Sequence, residues 1–166
     1  ATSDTLKELS LQDNSSYFLT VRAMDVAGNL SDPILGDGIF IDTTPPVLGT
    51  IFDGASADIA YTGSDNTLVA TWAGFSDGSS GLKGYEISVN NGEFYPWTFI
   101  GDVNTHTITD LVLTHATSYT VDLRAMDKAG NVSQHISTDG VIVDTEPSTS
   151  GVDVADEFYN ESGWNT

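Results

Sequence analysis

The sequence predicts an all-β protein, an antiparallel β-sandwich that recurs along the chain. Apolar residues alternate with polar ones in short runs, as at Leu68, Ala70 and Trp72, and no stretch shows a helical period. Turn-forming residues separate these runs about every 8–12 residues, which is typical of sandwich folds. A segment of about 100 residues also recurs, and this is the size of one sandwich domain rather than of a solenoid unit.

The recurrence is clearest near the end of each copy. Residues 15–31 read SSYFLTVRAMDVAGNLS and residues 117–133 read TSYTVDLRAMDKAGNVS, so that Tyr119 follows its counterpart Tyr17 by 102 residues. The same register continues without a gap through DGIFIDTTP and DGVIVDTEP. We therefore interpret the chain as part of a tandem array of domains with a period of 102 residues.

This register divides the chain into three parts. Residues 1–46 are predicted to hold the C-terminal part of one repeat, about three strands, followed by a linker. Residues 47–146 form a complete repeat, and residues 147–166 begin the next one. The linker ends in TTPP at 43–46, which is stiff because consecutive prolines fix φ.

The incomplete first copy raises a packing problem. Its strands lack a second sheet, so Tyr17, Leu19 and Val21 have nothing to cover them. An isolated half-sandwich is not stable. We therefore expect 1–46 to be ordered only where another chain, or a further part of this one, covers that face.

The complete repeat is predicted to contain about seven short strands. The first lies at 47–52, and a polar connection over 53–66 includes a short strand at 59–61. The next strand directs Trp72 inward, and the following one places Tyr85, Ile87 and Val89 on one face. Asn91-Gly92 is a strong hairpin signal.

Charge and composition exclude several classes of partner. The chain has 24 acidic and 5 basic residues, a net charge of −19, and no cysteine. Nucleic acids and anionic membranes are poor partners, because binding them requires Lys or Arg to neutralise phosphate. Disulfides and cysteine-ligated zinc are excluded, and no long apolar run predicts insertion into a membrane. Cations are the better candidates, although acidity also serves solubility.

Catalytic motifs are absent from the sequence. His106, His115 and His135 are scattered, without the spacing of metal ligands. No nucleophile elbow or phosphate-binding loop occurs. The sequence therefore predicts a protein that is not an enzyme.

The motifs of the complete repeat resemble those of fibronectin type III domains, and more closely the type III and Ig-like repeats of large bacterial surface or secreted proteins. Trp72 in LVATWAGF resembles the strand-B tryptophan, and Tyr85 in LKGYEISV the strand-C tyrosine. Leu113 precedes Tyr119 by six residues, as at the corner between strands E and F, where we expect the tyrosine hydroxyl to bond to the backbone. The polar run 53–66 departs from the family pattern, and no RGD motif is present.

The resemblance also implies where acidic residues meet. In the type III topology the B–C and F–G loops lie at the pole that faces the preceding domain. This would gather Asp42, Asp77, Asp127 and Asn131 at one junction, as a candidate Ca²⁺ site of oxygen ligands. The alternative is that Asp127 and Asn131 only make turn hydrogen bonds. Equivalent residues recur as Asp144, and as Asp25 with Asn29.

Exposed aromatic residues offer a different kind of site. Phe94, Tyr95 and Trp97 could stack on sugar rings, although the family pattern would pack Trp97 inward as part of strand C′.

From these features together we predict a structural or adhesive repeat, a spacer or stalk, of a large extracellular bacterial surface protein. Its partners would be neighbouring repeats, glycans or other copies of the chain. The alternative is a carbohydrate-binding or accessory module of a secreted polysaccharide-degrading enzyme.

Overall fold

The computed structural model describes residues 5–92 and 95–148, and all of its regular elements are β-strands. No helix in these ranges is long and apolar enough to cross a membrane. The strands are β1 Ser15–Tyr17, β2 Thr20–Val21, β3 Ile34–Leu35, β4 Ile39–Ile41, β5 Thr50–Asp53, β6 Tyr61–Thr62, β7 Leu68–Ala73, β8 Leu82–Asn90, β9 Thr98–Gly101, β10 Thr105–Ile108, β11 Ser118–Asp127, β12 Ile136–Ser137 and β13 Val141–Val143.

Strands β5 to β13 form two sheets that pack face to face. One sheet has the order β10-β7-β5, and the other has the order β6-β13-β11-β8-β9, with β12 paired to β11. The pairs are antiparallel except for β6, which runs parallel to β13. The antiparallel β-sandwich predicted from the alternating pattern is therefore confirmed.

Aromatic residues fill the centre between the sheets. Trp72 is only 2% exposed, and its ring meets Tyr85 edge to face with centroids 5.3 Å apart. The Phe75 ring also meets Tyr85 edge to face, with centroids 5.4 Å apart. Such large apolar surfaces dominate the energetics of a core. The predictions that Trp72 points inward, and that Tyr85, Ile87 and Val89 share a buried face, are confirmed.

The predicted tyrosine corner is present in both copies. In the complete repeat the backbone N–H of Thr114 donates to the Tyr119 hydroxyl at 3.1 Å. In the first segment the N–H of Gln12 donates to the Tyr17 hydroxyl at 2.9 Å. In each case the tyrosine hydroxyl accepts from the backbone N–H five residues upstream, and this bond fixes the chain reversal before the strand.

The inner face of the first segment is exposed, as expected for strands without a second sheet. Leu19 and Val21 are each 56% exposed, whereas Val121 and Leu123, at the same positions of the complete repeat, are 0% exposed. Where the complete repeat has the single strand β11, the first segment has two short strands, β1 and β2. Within residues 5–46 no strand plays the part of β8, which pairs with β11 along most of its length.

Several predicted elements are shifted or lie outside the described residues. The first strand of the complete repeat begins at Thr50 rather than 47, and the short strand expected at 59–61 is β6 at Tyr61–Thr62. At the predicted hairpin, β8 ends at Asn90, whose side chain accepts from the Gly92 N–H at 2.7 Å. The third copy, predicted from 147, lies outside the described residues after 148.

Backbone hydrogen exchange will measure the contrast between the two copies. We expect the amides of Thr20 and Val21 to exchange rapidly and those at Asp122 and Leu123 to be strongly protected, because only β11 is covered on its inner face. The measurement is exchange by NMR on the 166-residue chain at a concentration where it is monomeric. Equal protection at the two pairs would contradict the packing argument.

Candidate functional site

Three predicted junction residues meet at one end of the complete repeat. Asp42 follows β4, Asp77 lies between β7 and β8, and Asp127 ends β11. One carboxylate oxygen from each lies within 4.8 Å of the others. Asp42 and Asp127 are buried, at 7% and 0% exposed. We call these three residues the junction cluster, and their oxygen atoms are ligands of the kind that hard cations prefer.

Backbone N–H groups surround the junction cluster. Asp42 accepts from Thr44 at 3.0 Å and from Ser80 at 3.0 Å, one bond on each oxygen. Asp77 accepts on Oδ1 from Gly81 at 2.6 Å. These bonds tie the linker to the loop between β7 and β8, so the linker approaches the complete repeat along a defined path.

Asp127 and Asn131 make the turn hydrogen bonds proposed as the alternative to metal binding. Asp127 Oδ1 accepts from the Asn131 N–H at 2.8 Å, and the Asn131 side-chain amide donates to Asp127 Oδ2 at 2.7 Å. The same two bonds, both 2.8 Å, join Asp25 and Asn29 in the first copy. Asn131 also donates to the backbone oxygen of Asp42 at 3.0 Å. It therefore positions the linker here through its side-chain N–H groups.

Hydrogen bonding stabilises the charged form of two of these aspartates. The pKa of Asp42 lies below its ordinary value, first because of the Ser80 hydroxyl, which lies beside the carboxylate without forming a well-aligned bond. The N–H groups of Thr44 and Ser80 lower it further. The side chain and then the N–H of Asn29 lower the pKa of Asp25. These carboxylates are therefore negative at neutral pH.

A second group of aspartates was missed by the sequence analysis. Asp53, Asp58 and Asp139 each place one carboxylate oxygen within 4.8 Å of the others, and we call them the seam cluster. Asp53 is 1% exposed, and burial raises its pKa. The Thr138 hydroxyl and the Gly140 N–H oppose this rise, and the negative charges of Asp139 and Asp58 add to it by smaller amounts. One signal was available: Asp53 follows Ile51 on the inward phase of β5, where an apolar residue is expected.

The aromatic candidates have different environments. Tyr95 packs against the core, and its backbone oxygen accepts from the Ser88 hydroxyl at 2.5 Å. The Trp97 ring lies over the Arg124 guanidinium, with 4.4 Å from its centroid to Cζ. Arg124 alternates along β11 with buried Leu123 and Ala125, so Trp97 covers the outer face of the sheet and does not pack inward. Phe94 lies outside the described residues.

The histidines do not form a shared site. His106 belongs to β10, His115 lies 3.6 Å from Asp144, and the His135 ring is near Trp97. In the described part of the chain the groups able to hold a metal ion consist of aspartates alone.

Known proteins similar to this chain include three enzymes of Cellulomonas fimi. The chain is 35% identical to exoglucanase B over 98% of its own length, and 34% identical to endoglucanase B over 93%. It is also 33% identical to chitinase A1 of Niallia circulans over 86%. However, it spans only 14% of the first two proteins and 19% of the third. No protein-family model matches the chain.

A solved structure of domains A168–A170 of titin shares the fold. The TM-score is 0.50 at 18% identity, and the superposition covers 80% of this chain and 42% of the titin chain. The fibronectin type III or Ig-like sandwich expected from Trp72, Tyr85 and Tyr119 is therefore confirmed as a fold. At this identity the likeness carries no information about function.

The turn formed by Asp25 and Asn29 can be tested by titration. The folded pKa of Asp25 is lowered, so the turn stabilises the folded state above the ordinary pKa, and this contribution is lost as pH falls through the folded pKa. We expect Asn29→Ala to raise the Asp25 pKa towards its ordinary value, measured by carbon-detected NMR of the carboxyl group. Asn131→Ala, in the equivalent turn, is the control. An unchanged Asp25 pKa in Asn29→Ala would show that the side-chain bond does not form in solution.

Proposed function

We propose that the chain is a non-catalytic β-sandwich repeat of a secreted bacterial polysaccharide-degrading enzyme, in which it holds neighbouring domains apart. The observation that carries this proposal is the coverage of the alignments, which take in 86–98% of this chain but only 14–19% of the relatives. Those relatives are named for different activities, exoglucanase, endoglucanase and chitinase. A segment shared by all of them is not where their substrates are distinguished, which favours an accessory role.

The packing of the complete repeat supports a structural role. Its interior is filled by aromatic and aliphatic side chains, with Trp72 and Tyr85 at the centre. The filled centre leaves no room for a substrate there, and the cavity of about 410 Å³ between β8 and β10 lies at the edge of the sandwich. The aspartates of the junction cluster lie in loops and at strand ends. Carboxylates in such positions close turns or bind cations, rather than acting as acids and bases in catalysis.

Repeated local geometry supports neighbouring repeats as the partners of this one. Ser16 pairs with Phe40 in the first copy, and Ser118 pairs with Ile142 in the complete repeat, each 102 residues further on. The isolated bridge at Met24 likewise recurs at Met126. In our proposal residues 1–46 end one repeat, residues 47–146 form the next, and a further copy begins at 147. The chain then works outside the cell as a spacer, and the same arrangement would also serve an adhesive stalk.

We propose that Ca²⁺ binds the junction cluster and stiffens the linker. Three negative carboxylates within 4.8 Å repel one another, and a divalent cation would remove this repulsion. It would also join Asp42 of the linker to Asp77 and Asp127 of the next repeat. Calcium takes six to eight oxygen ligands in flexible geometry, which suits a site assembled from separate loops.

Thermal unfolding with calcium or EDTA tests the junction cluster. A ligand that binds only the folded state adds about 1.4 kcal/mol at ten times its Kd, which raises the Tm by several degrees in a domain of this size. We expect this rise to shrink in Asp42→Asn and Asp77→Asn. Asp65→Asn, which removes an exposed charge outside the cluster, is the control. An equal rise in all variants would remove calcium from the junction.

Activity assays test the non-catalytic role. We expect the purified chain to release no sugar from cellulose or chitin. We also expect the whole polypeptide that contains it to hydrolyse such a polymer, and to keep its activity on soluble oligosaccharides after deletion of 47–146. Sugar release by the isolated chain would contradict the non-catalytic proposal. A whole polypeptide without glycan-degrading activity would contradict the enzyme context and favour the stalk.

Glycan binding at Trp97 is a second candidate role, favoured by the position of this ring on the outer face of the sheet. The Arg124 guanidinium lies over the ring, and the His135 ring lies with its centroid 6.1 Å from that of Trp97. Tyr95 packs against the core and would support the loop. Retention on the same polymers, lost in Trp97→Ala, would favour this role, whereas unretained passage of the chain favours the spacer alone.

A further inference from the structure

We propose that the seam cluster of Asp53, Asp58 and Asp139 is a second binding site for Ca²⁺, located within the complete repeat. The site is separate from the junction cluster, and it does not depend on the function proposed above. It would fasten the loop after β5 to the turn before β13, and so join the edges of the two sheets.

Asp53 supplies the observation that points to a ligand. Its side chain is 1% exposed, and Oδ2 accepts from the Gly140 N–H at 3.1 Å. Its other oxygen, Oδ1, is buried and accepts no well-aligned hydrogen bond among the described residues. The Thr138 hydroxyl lies close enough to this carboxylate to lower its pKa, without forming such a bond. Leaving a buried carboxylate oxygen without a partner is costly. A bound cation would satisfy this oxygen and compensate the charge.

Two glycines bring the other carboxylates to Asp53. Gly54 has φ +100°, and a Cβ at this position would clash with the backbone oxygen of Ala57, so the loop folds tightly back towards Asp58. Gly140 has φ +107° and follows Asp139 directly. Positive φ at these positions is readily adopted only by glycine. The backbone is therefore shaped to hold three carboxylates together despite their mutual repulsion.

The chemistry of the site favours calcium over other metals. All three candidate ligands are carboxylates, which prefer hard cations to zinc or copper. They come from separate segments, and calcium tolerates the irregular geometry that results, whereas magnesium demands a near-ideal octahedron.

The position of the cluster gives the cation a structural effect. Asp53 ends β5 of the three-stranded sheet, while Asp139 precedes β13 of the six-stranded sheet. The Gly140 N–H already bonds to Asp53 across this seam. A cation held by both carboxylates would add a second connection between the sheets at an edge where no strand pairing joins them in the described part of the chain.

Titration with CaCl₂, followed by ¹H–¹⁵N NMR on the full chain after treatment with EDTA, tests the site. Extracellular modules bind calcium with Kd of about 10⁻⁴–10⁻³ M, so the titration extends to about 10 mM. We expect saturable shifts at the amides of Gly54 and Gly140, and binding at least about tenfold weaker in Asp58→Asn and Asp139→Asn. Both aspartates are exposed, so these variants are expected to fold even where Asp53→Asn does not.

Two controls separate this site from other effects of charge. Asp122→Asn alters a different buried aspartate with an unpartnered Oδ1, and it should leave the shifts at Gly140 unchanged. Asp42→Asn alters the junction cluster and should also leave them unchanged. No shift at Gly54 and Gly140 by 10 mM, or equal affinity in all variants, would overturn the seam site. A calcium response lost only in Asp42→Asn would also overturn it, while supporting the junction site.

Discussion

Burial of the inner face of β11 against the opposite sheet is the interaction on which the rest of the repeat depends. The two copies allow this to be seen directly, because nearly the same residues occur with and without the opposite sheet. Val121 is fully buried, whereas its counterpart Leu19 is 56% exposed. The turn at Asp127 and the corner at Tyr119 form in both copies. Only the covered copy has a continuous strand of ten residues. Local hydrogen bonds therefore set the turns. The continuous strand depends on long-range interactions, namely the pairing with β8 and the cover of the opposite sheet, which residues 5–46 lack.

This division explains which features could be predicted from sequence. The inward phase of Trp72 and the tyrosine corner depend on residues close together in the chain, and both predictions are confirmed. The junction cluster was found because the topology implied by the family resemblance places its loops at one pole. The seam cluster was missed because it depends on how residues 53–62 cross to β13. The parallel pairing of β6 with β13 joins residues about 80 positions apart and has no local sequence pattern. Trp97 illustrates the same limit, since its outward position follows from Arg124 on a distant strand.

Aspartate serves two different purposes in this fold. At Asp25 and Asp127 the carboxylate closes a turn by accepting several N–H groups from its own loop. Such a residue needs no cation, and its recurrence in both copies follows from backbone geometry alone. The Asp53 side chain lies on the inward side of its strand, and only one of its two carboxylate oxygens accepts a well-aligned hydrogen bond. The acidic residues behind the net charge of −19 therefore fall into three kinds. Some close turns by accepting hydrogen bonds, others lie on the solvated surface, and a small number are buried with few hydrogen-bond donors, as Asp53 is.

The two clusters differ in what a cation would change. At Asp42, hydrogen bonds already stabilise the charge and lower the pKa, so a cation there would mainly restrict the path of the linker between repeats. At Asp53, burial raises the pKa and opposes ionisation, so the folded state bears the cost of the charge at neutral pH. A cation at this position would remove that cost and act on the stability of the repeat itself. Calcium bound at both places would thus hold the linker at the junction and stabilise the sandwich of residues 47–146 across its seam, and the two effects are separable because no aspartate belongs to both clusters.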